Sequence, residues 1–330
     1  MNIAVVILNW NGRSLLEQFL PSVVKYSKEA TIYVADNAST DDSVDYIRTS
    51  FPGIKLIQNE VNGGYAKGYN DALAKIDADV YCLLNSDVEV TENWLSPIIK
   101  AFKNNEKIAA IQPKILDYKK KNYFEYAGAA GGFMDKLGYP YCRGRIFETL
   151  EEDKGQYDDT IDIFWASGAC LFIRKTVFEE VGKLDEDFFA HQEEVDLCWR
   201  IRNHGYDIQY IGTSEVYHLG GATLNNINPR KTFLNFRNNL LMMVKNSAGV
   251  SIWFIIFIRL ILDGVAGIKF ITEGKLQHCI AILKAHISFY NNLPTFVKKR
   301  KKSTDQRKYY VISSVVWQYY ILKKKLFNHL

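Results

Sequence analysis

Asp79-Val80-Tyr81-Cys82-Leu83-Leu84-Asn85-Ser86-Asp87 is an apolar run that stops abruptly in amide, hydroxyl and carboxylate groups. A short apolar run with polar ends suits a central strand of a parallel sheet, covered on both faces. In open α/β sheets ligands bind in the crevice beyond the carboxyl ends of the strands. Asp87 is therefore expected at such a crevice, where a carboxylate can hold a divalent cation against a phosphate. Asn, Ser and Asp also end strands simply because they make turns. The tip alone leaves both readings open.

Outward from this strand, the first 115 residues alternate strand and helix signals. Residues 3–8, 31–35, 55–58 and 80–84 read as strands, and 14–26, 42–50, 65–76 and 93–103 as helices. Ser39-Thr40-Asp41-Asp42 offers capping oxygens to the second helix. The alternation predicts right-handed crossovers and a doubly wound, mostly parallel α/β sheet. From about residue 108 to 219 the pattern is less regular. Ala127-Gly128-Ala129-Ala130-Gly131-Gly132 and Gly138-Tyr139-Pro140 read as loops. Residues 161–174 read as an extended segment bent at Gly168, and a helix is expected to begin near Gln192.

With 330 residues, 48% hydrophobic and 24% charged, the chain has room for one large domain and an appendage. The net charge of +4 conceals an asymmetry: Lys298 to the end carries ten Lys or Arg against Asp305, a balance of +9, leaving −5 for the rest. Such a tail favours an anionic surface, with a merely solvated tail as the alternative. No domain suited to nucleic acid accompanies it. Cys82, Cys142, Cys170, Cys198 and Cys279 show no paired spacing, which argues for a reducing compartment and against disulfides or zinc. The N-terminus has no basic leader or cleavage site and reads as the first strand, so a cytoplasmic location is expected. From Pro229 onward the pattern is helical. The eleven uncharged residues 248–258 are followed by Arg259 and Asp263, too short a run for the ~20 residues that span a bilayer. An in-plane amphipathic or re-entrant helix is expected there, with packing against the remainder of the protein as the alternative.

Three further turns carry chemistry. Val6-Ile7-Leu8-Asn9-Trp10-Asn11-Gly12 runs from strand to polar turn, and Asp36-Asn37-Ala38-Ser39-Thr40-Asp41 repeats the layout. Adjacent strand ends with amide and carboxylate groups can read a nucleoside. Asn62-Gly63-Gly64-Tyr65-Ala66-Lys67-Gly68 places glycines before a helix, where backbone can approach phosphate. It is neither a Walker loop nor a Gly-x-Gly-x-x-Gly fingerprint, which weakens ATPase and dinucleotide readings.

Taken in order, these stretches, with Leu83-Leu84-Asn85-Ser86-Asp87-Val88, Ser167-Gly168-Ala169-Cys170-Leu171-Phe172-Ile173-Arg174, Glu193-Glu194-Val195-Asp196-Leu197-Cys198-Trp199-Arg200 and His218-Leu219-Gly220-Gly221, resemble glycosyltransferase family 2. The chain is most similar to the bacterial branch that includes rhamnosyltransferases and galactofuranosyltransferases. The resemblance spans about residues 3–245. It implies a GT-A fold, a nucleotide-sugar donor, a divalent cation and inversion at the anomeric carbon. Residues 1–228 would form the GT-A domain, with a donor half to about 115 and an acceptor half over 116–228. Residues 229–330 would form a helical, basic, membrane-associating extension.

Carried over residue by residue, Asp36 matches the nucleoside-binding Asp of the family. Asn9, Asn62, Gly63, Gly64 and Asn70 fall on the donor side. Asn85-Ser86-Asp87 matches the metal-binding motif, often Asp-x-Asp. With Asn in the first place, Asp87 must be the main carboxylate ligand. His218 matches a His that completes the site, and imidazole plus carboxylate suits Mn²⁺, with Mg²⁺ also expected. Glu193-Glu194 aligns with a Glu-Asp pair whose second member is usually the base. The longer Glu194 keeps Glu193 and Asp196 as rivals, and acids at a helix start also favour the macrodipole. Trp165, Ser167, Gly168 and Asp196 fall on the acceptor side, where Trp165 would stack on a sugar or simply fill the core. Arg200 and Arg202 are expected to pair with Glu193 or Asp196, with a role on the diphosphate as the alternative.

These implications predict an inverting, metal-dependent transferase at the inner face of a bacterial membrane. It would pass a sugar, rhamnose first, from a dTDP- or UDP-sugar to a glycan carried on a polyprenyl diphosphate, in surface polysaccharide synthesis. Two alternatives stay in view. A sugar-1-phosphate nucleotidyltransferase would need a Gly- and basic-rich first turn, where this chain has Asn9-Trp10-Asn11-Gly12-Arg13. A catalytically inactive nucleotide-sugar-binding scaffold is left open by Asn85 and Glu194.

Overall fold

The computed structural model describes residues 1–220, 228–300 and 308–330. Its first half alternates β1 (Ile3–Asn9), α1 (Arg13–Tyr26), β2 (Ala30–Asp36), α2 (Ser43–Ser50), β3 (Lys55–Gln58), α3 (Gly64–Leu73), β4 (Val80–Asn85), β5 (Val88–Val90), α4 (Leu95–Asn104) and β6 (Ile108–Asp117). Short strands β7 (Gly132–Met134), β8 (Pro140–Cys142), β9 (Arg145–Ile146) and β10 (Thr149–Leu150) form a separate sheet. There follow β11 (Thr160–Asp162), β12 (Cys170–Arg174), α5 (Lys175–Glu180), α6 (Glu193–Asn203), β13 (Asp207–His218), α7 (Pro229–Asn246), α8 (Ser251–Thr272) and α9 (Leu276–Lys298).

The main sheet runs β11-β13-β6-β12-β4-β1-β2-β3, with β5 added against β13. β1, β2, β3 and β4 are parallel, and β12 lies antiparallel between β4 and β6. β1 and β4 are apolar on both faces because both faces are covered. Leu16, Leu20, Ile47, Ile98 and Phe102 of α1, α2 and α4 pack one side. Tyr69, Phe178, Leu197 and Leu241 of α3, α5, α6 and α7 pack the other. This is the doubly wound, mostly parallel sheet expected of the alternation, and it agrees with the GT-A fold that the family resemblance implies.

The extended segment foreseen over 161–174 divides in two. β11 pairs with β13 at the sheet edge and β12 sits centrally beside β4, so residues 163–169 cross between them. Helix α7 contributes Leu240, Met242, Met243 and Val244 to the same core as the sheet.

The basic tail differs more from expectation. Lys299 pairs with Asp185 and Asp187, and Arg300 donates to the carbonyls of Val244, Ser247 and Gly249. Ile312, Val315, Tyr319, Phe327 and Leu330 pack on Tyr141 and Ile146 of the small sheet. Buried Asp135, its carboxyl pushed up to about 6 by burial, accepts from the Val315 amide and ties this segment down. Val315 and its apolar neighbours thus pin part of residues 308–330 to the small sheet, while Val311, Trp317, Ile321 and Leu322 stay exposed, and the segment is not the wholly helical tail expected. Lys301, Lys302 and Arg307 lie outside the described residues, as does Gly221. Among the described residues no helix is long and apolar enough to cross a membrane.

Candidate active site

In-register pairing aligns the strand tips. Asn9 lies opposite Asp36, and Leu8 opposite Asn85. Asn9 donates to Asp36 Oδ1 at 3.1 Å, and the Ser39 amide donates to Asp36 Oδ2 at 3.0 Å. Asp36 is buried and anchors the turn after β2, while Asn9 Oδ1 is buried without a partner. A carboxylate oxygen can accept more than one hydrogen bond, so Asp36 keeps acceptor capacity for a ligand. Exposed Trp10 follows directly on the β1 turn.

Asn62 Oδ1 receives both the Gly64 amide and Asn37 Nδ2, which orders the start of α3. Gly64 sits at φ +77°, and a Cβ there would stand 2.8 Å from the Phe189 carbonyl. That left-handed backbone and close approach require glycine. Asn70, expected on the donor side, belongs to the scaffold instead. Its Nδ2 donates to the Leu184 carbonyl and Glu186, and its Oδ1 accepts from the Leu184 amide. The amide is thereby spent on joining α3 to the segment before α6.

Beyond β4, Asp87 immediately precedes β5, which pairs with the end of β13 so that Val88 faces His218. The pairing brings Asp87 Oδ1 to 3.1 Å from His218 Nε2, with Asn85 Nδ2 3.5 Å from the same nitrogen. Ser86 sits across from the Gly12 turn. Glu125, which no sequence signal marked, lies with Oε2 3.4 Å from His218 Nδ1. Burial alone would lower the His218 pKa, but Glu125 and Asp87 outweigh it and push it up to about 10. A buried carboxylate against an imidazole fits the donor set of a divalent cation such as Mn²⁺. Among the described residues no group of three His, Cys, Asp or Glu is placed around one point. Asp87 and His218 would therefore leave the remaining positions to phosphate oxygens.

Helix α6 opens with the carboxylate pair. Phe189, His191 and Gln192 just before it have φ of 64°, 68° and 76°, a strained run of the kind found at functional sites. Asn238 of α7, missed by the sequence reading, holds this run: its Nδ2 donates to the carbonyls of Phe188, Ala190 and His191. Glu193 Oε2 and Glu194 Oε2 are buried with no hydrogen-bond partner. Burial raises both carboxyl pKa values, Glu193 further through the charge of Glu194. Tyr65 connects this helix start to the donor side. Its amide donates to Phe189 O and its hydroxyl to Gly168 O at 2.8 Å. Its phenol is pushed up by burial, by Tyr69 and by Glu194 and Glu193.

Two expected acceptor-side residues are committed elsewhere. Asp196 is fully buried and accepts from Arg200 and Lys245, both at 2.8 Å, and from Asn246 at 2.7 Å. Burial opposes its ionisation, but Arg200 and Lys245 outweigh that and lower its pKa. It fastens α6 to α7 and is no free base. Trp165 is only 5% exposed, donates Nε1–H to the Phe133 carbonyl and lies against Gly132, where any Cβ would collide with its indole. Its ring therefore fills the core. Ser167 is buried, its amide donating to Gln112 and its hydroxyl accepting from Ala169. Gly168 stays beside the Tyr65 hydroxyl, where a Cβ would come within 2.7 Å. Arg202 donates to the Ile163 carbonyl.

Residues 4–182 match the family model described as Glycosyl transferase family 2. The N-acetylglucosaminyl-diphospho-decaprenol L-rhamnosyltransferase of Mycobacterium tuberculosis is 25% identical over 229 residues, 65% of this chain and 75% of that protein. TarS residues 1–349 of S. aureus, solved with UDP-GlcNAc, superposes with a TM-score of 0.56 at 15% identity, covering 90% of this chain and 91% of that one. A mannosyltransferase of Pyrobaculum calidifontis, solved with GDP-Man and Mn²⁺, gives a TM-score of 0.55 at 10% identity, covering 88% and 87%.

Proposed function

Because this chain belongs to glycosyl transferase family 2 and is a glycosyltransferase, we propose that it inverts a sugar from a dTDP- or UDP-sugar, rhamnose first, onto a lipid-linked glycan in surface polysaccharide synthesis. The observation that carries this reading is the Asp87–His218 contact at the carboxyl edge of the sheet. A divalent cation, Mn²⁺ or Mg²⁺, held by that pair would neutralise charge on the departing diphosphate. Asn9, Asp36 and the backbone at Asn62, Gly63 and Gly64 would hold the nucleotide end. Asn85 and Ser86 line the same edge.

Glu194 serves as base and Glu193 as its rival. The acceptor hydroxyl gives its proton to the carboxylate as its oxygen forms the new bond to the anomeric carbon. The bond from that carbon to the phosphate oxygen breaks on the opposite face. A buried carboxylate with a raised pKa is a better proton acceptor than an exposed one, and burial raises both Glu193 and Glu194. Ser167, Gly168 and Tyr65 border the acceptor side. The M. tuberculosis relative's name, a rhamnosyltransferase with a decaprenyl-diphosphate-linked acceptor, supports the choice of donor and acceptor class.

Peripheral attachment to the inner face of the cell membrane belongs to this reading. Of the 25 large apolar side chains exposed among the described residues, 20 lie from Val250 onward. Trp253, Phe254, Phe257, Ile261, Val265 and Ile268 crowd the outer side of α8. Soluble surfaces rarely leave so large an apolar patch bare. Lys269 on α8, Lys275 between the helices and Lys284 on α9 add the charge that suits anionic lipid.

The test is transfer from a panel of dTDP- and UDP-sugars to polyprenyl-diphosphate-linked N-acetylglucosamine, with the product anomer read by NMR. Turnover with inversion that vanishes in Asp87→Ala supports the proposal. Nucleotide-dependent thermal stabilisation without turnover on any acceptor would favour the inactive scaffold, and retained configuration would overturn the inverting assignment.

A further inference from the structure

We infer that Glu125 is a positioning residue for the proposed metal site, acting through His218; the inference rests on the metal reading given above. Glu125 lies in the loop after β6, far from Asp87 and His218 in the chain, yet its side chain is as buried as theirs, at 6% against 8% and 6% exposure. The two carboxylates meet opposite edges of one imidazole. Asp87 Oδ1 is 3.1 Å from Nε2, and Glu125 Oε2 is 3.4 Å from Nδ1. The ring nitrogens point away from each other, so a cation on the Asp87 side is reached by Nε2 and not by Glu125.

The loop fixes this geometry from two sides. The Ala127 amide donates to Glu125 Oε2 at 2.5 Å. On the other oxygen, Gly220 at φ +65° leaves space that a Cβ, 2.8 Å from Glu125 Oε1, would take. His218 Nδ1 is buried, and it lacks an aligned hydrogen bond in this structure. The adjacent Glu125 is the acceptor placed to take its proton. An Nδ1–H held by a carboxylate leaves the Nε2 lone pair for a cation, and removing such a partner from a metal-bound His typically costs ten- to hundredfold in affinity.

The experiment is a Mn²⁺ titration read by EPR, with UDP and separately dTDP present, on wild type, Glu125→Ala, Glu125→Gln, His218→Ala and the Glu125→Ala/His218→Ala double variant. Melting temperatures without metal report folding. The expected result is Mn²⁺ affinity ~10- to 100-fold weaker in Glu125→Ala. Glu125→Gln, which keeps an oxygen acceptor and the volume, should lose less and carries the test if the alanine variant folds poorly. The double variant should bind no more weakly than His218→Ala. Losses that add in the double variant would overturn the inference, because Glu125 would then act independently of His218. Wild-type affinity in both Glu125 variants would also overturn it. No Mn²⁺ binding by wild type with either nucleotide would overturn it together with the metal reading.

Discussion

Arg259 and Asp263, one turn apart on α8, both point inward, at 2% and 0% exposure. Arg259 donates to the Leu137 carbonyl and Asn239, and its guanidinium lies 3.8 Å from the Tyr139 ring centre. Asp263 Oδ2 is 3.2 Å from His286 Nε2 of α9. The two charges that interrupt the apolar run are therefore inward anchors, on the same side as buried Ile252, Ile255 and Ile256, while Trp253, Phe254, Phe257, Ile261 and Val265 face out. An ordinary surface helix shows the reverse polarity.

Exposed side chains on that face should matter for membrane attachment and not for folding. Phe254→Ser together with Phe257→Ser should lower partitioning onto anionic vesicles by about a hundredfold or more, since each buried Phe is worth ~1.5–3 kcal/mol. The melting temperature in solution should hold. Flotation that is unchanged would move the membrane face elsewhere.

The buried anchor predicts the opposite balance. Asp263→Ala leaves Arg259 and His286 facing a lost partner, and breaking a buried pair costs about 3–5 kcal/mol. Urea unfolding should show a loss of that order. A change under 1 kcal/mol would mean that water or Asn239 already satisfies the arginine.

Glu194→Gln should lower kcat by ~10²–10⁴ through loss of proton transfer, while thermal stabilisation by nucleotide with Mn²⁺ is retained. If instead Glu193→Gln alone abolishes turnover and Glu194→Gln does not, the roles of the two carboxylates are exchanged.

Asp185 sets an acid limit to stability. Burial would raise its carboxyl, but Lys245 and Lys299 outweigh burial and hold its pKa down at about 2 against an ordinary 3.8. A depressed folded pKa stabilises the native state above the unfolded value, and the gain disappears as pH falls through the folded one. The contribution, about 2 kcal/mol, should be lost between about pH 4 and pH 2. Asp185→Asn should be less stable at pH 7 and flatter over that window in chemical unfolding.

Much of the donor half was legible because its signals are local. Apolar runs of strand length, helical periodicity and turn residues recur along the first 115 residues, and β1 to β4 fall within a residue or so of the expected bounds. The middle was harder to read. β12 runs antiparallel between β4 and β6, so residues near in sequence to the acceptor motif divide between edge and centre of the sheet. Asn70 and Asp196 look like site residues in their motifs, and only their partners, Leu184 and Lys245, reveal scaffold roles.

The sequence by itself determined a doubly wound sheet with Asn9, Asp36 and Asp87 at strand tips, because alternating local patterns permit few topologies. The family resemblance already set His218 beside Asp87, but the groups that surround the tips otherwise, Glu125 above all, were decided by the tertiary structure. Strand pairing of β5 with β13 brings His218 to Asp87, and a loop closure brings Glu125 to its far nitrogen. It also decided that Arg259 and Asp263 turn inward. A hydrogen-bond partner distant in the chain leaves no period or spacing to read, since its position follows from the packing of whole elements.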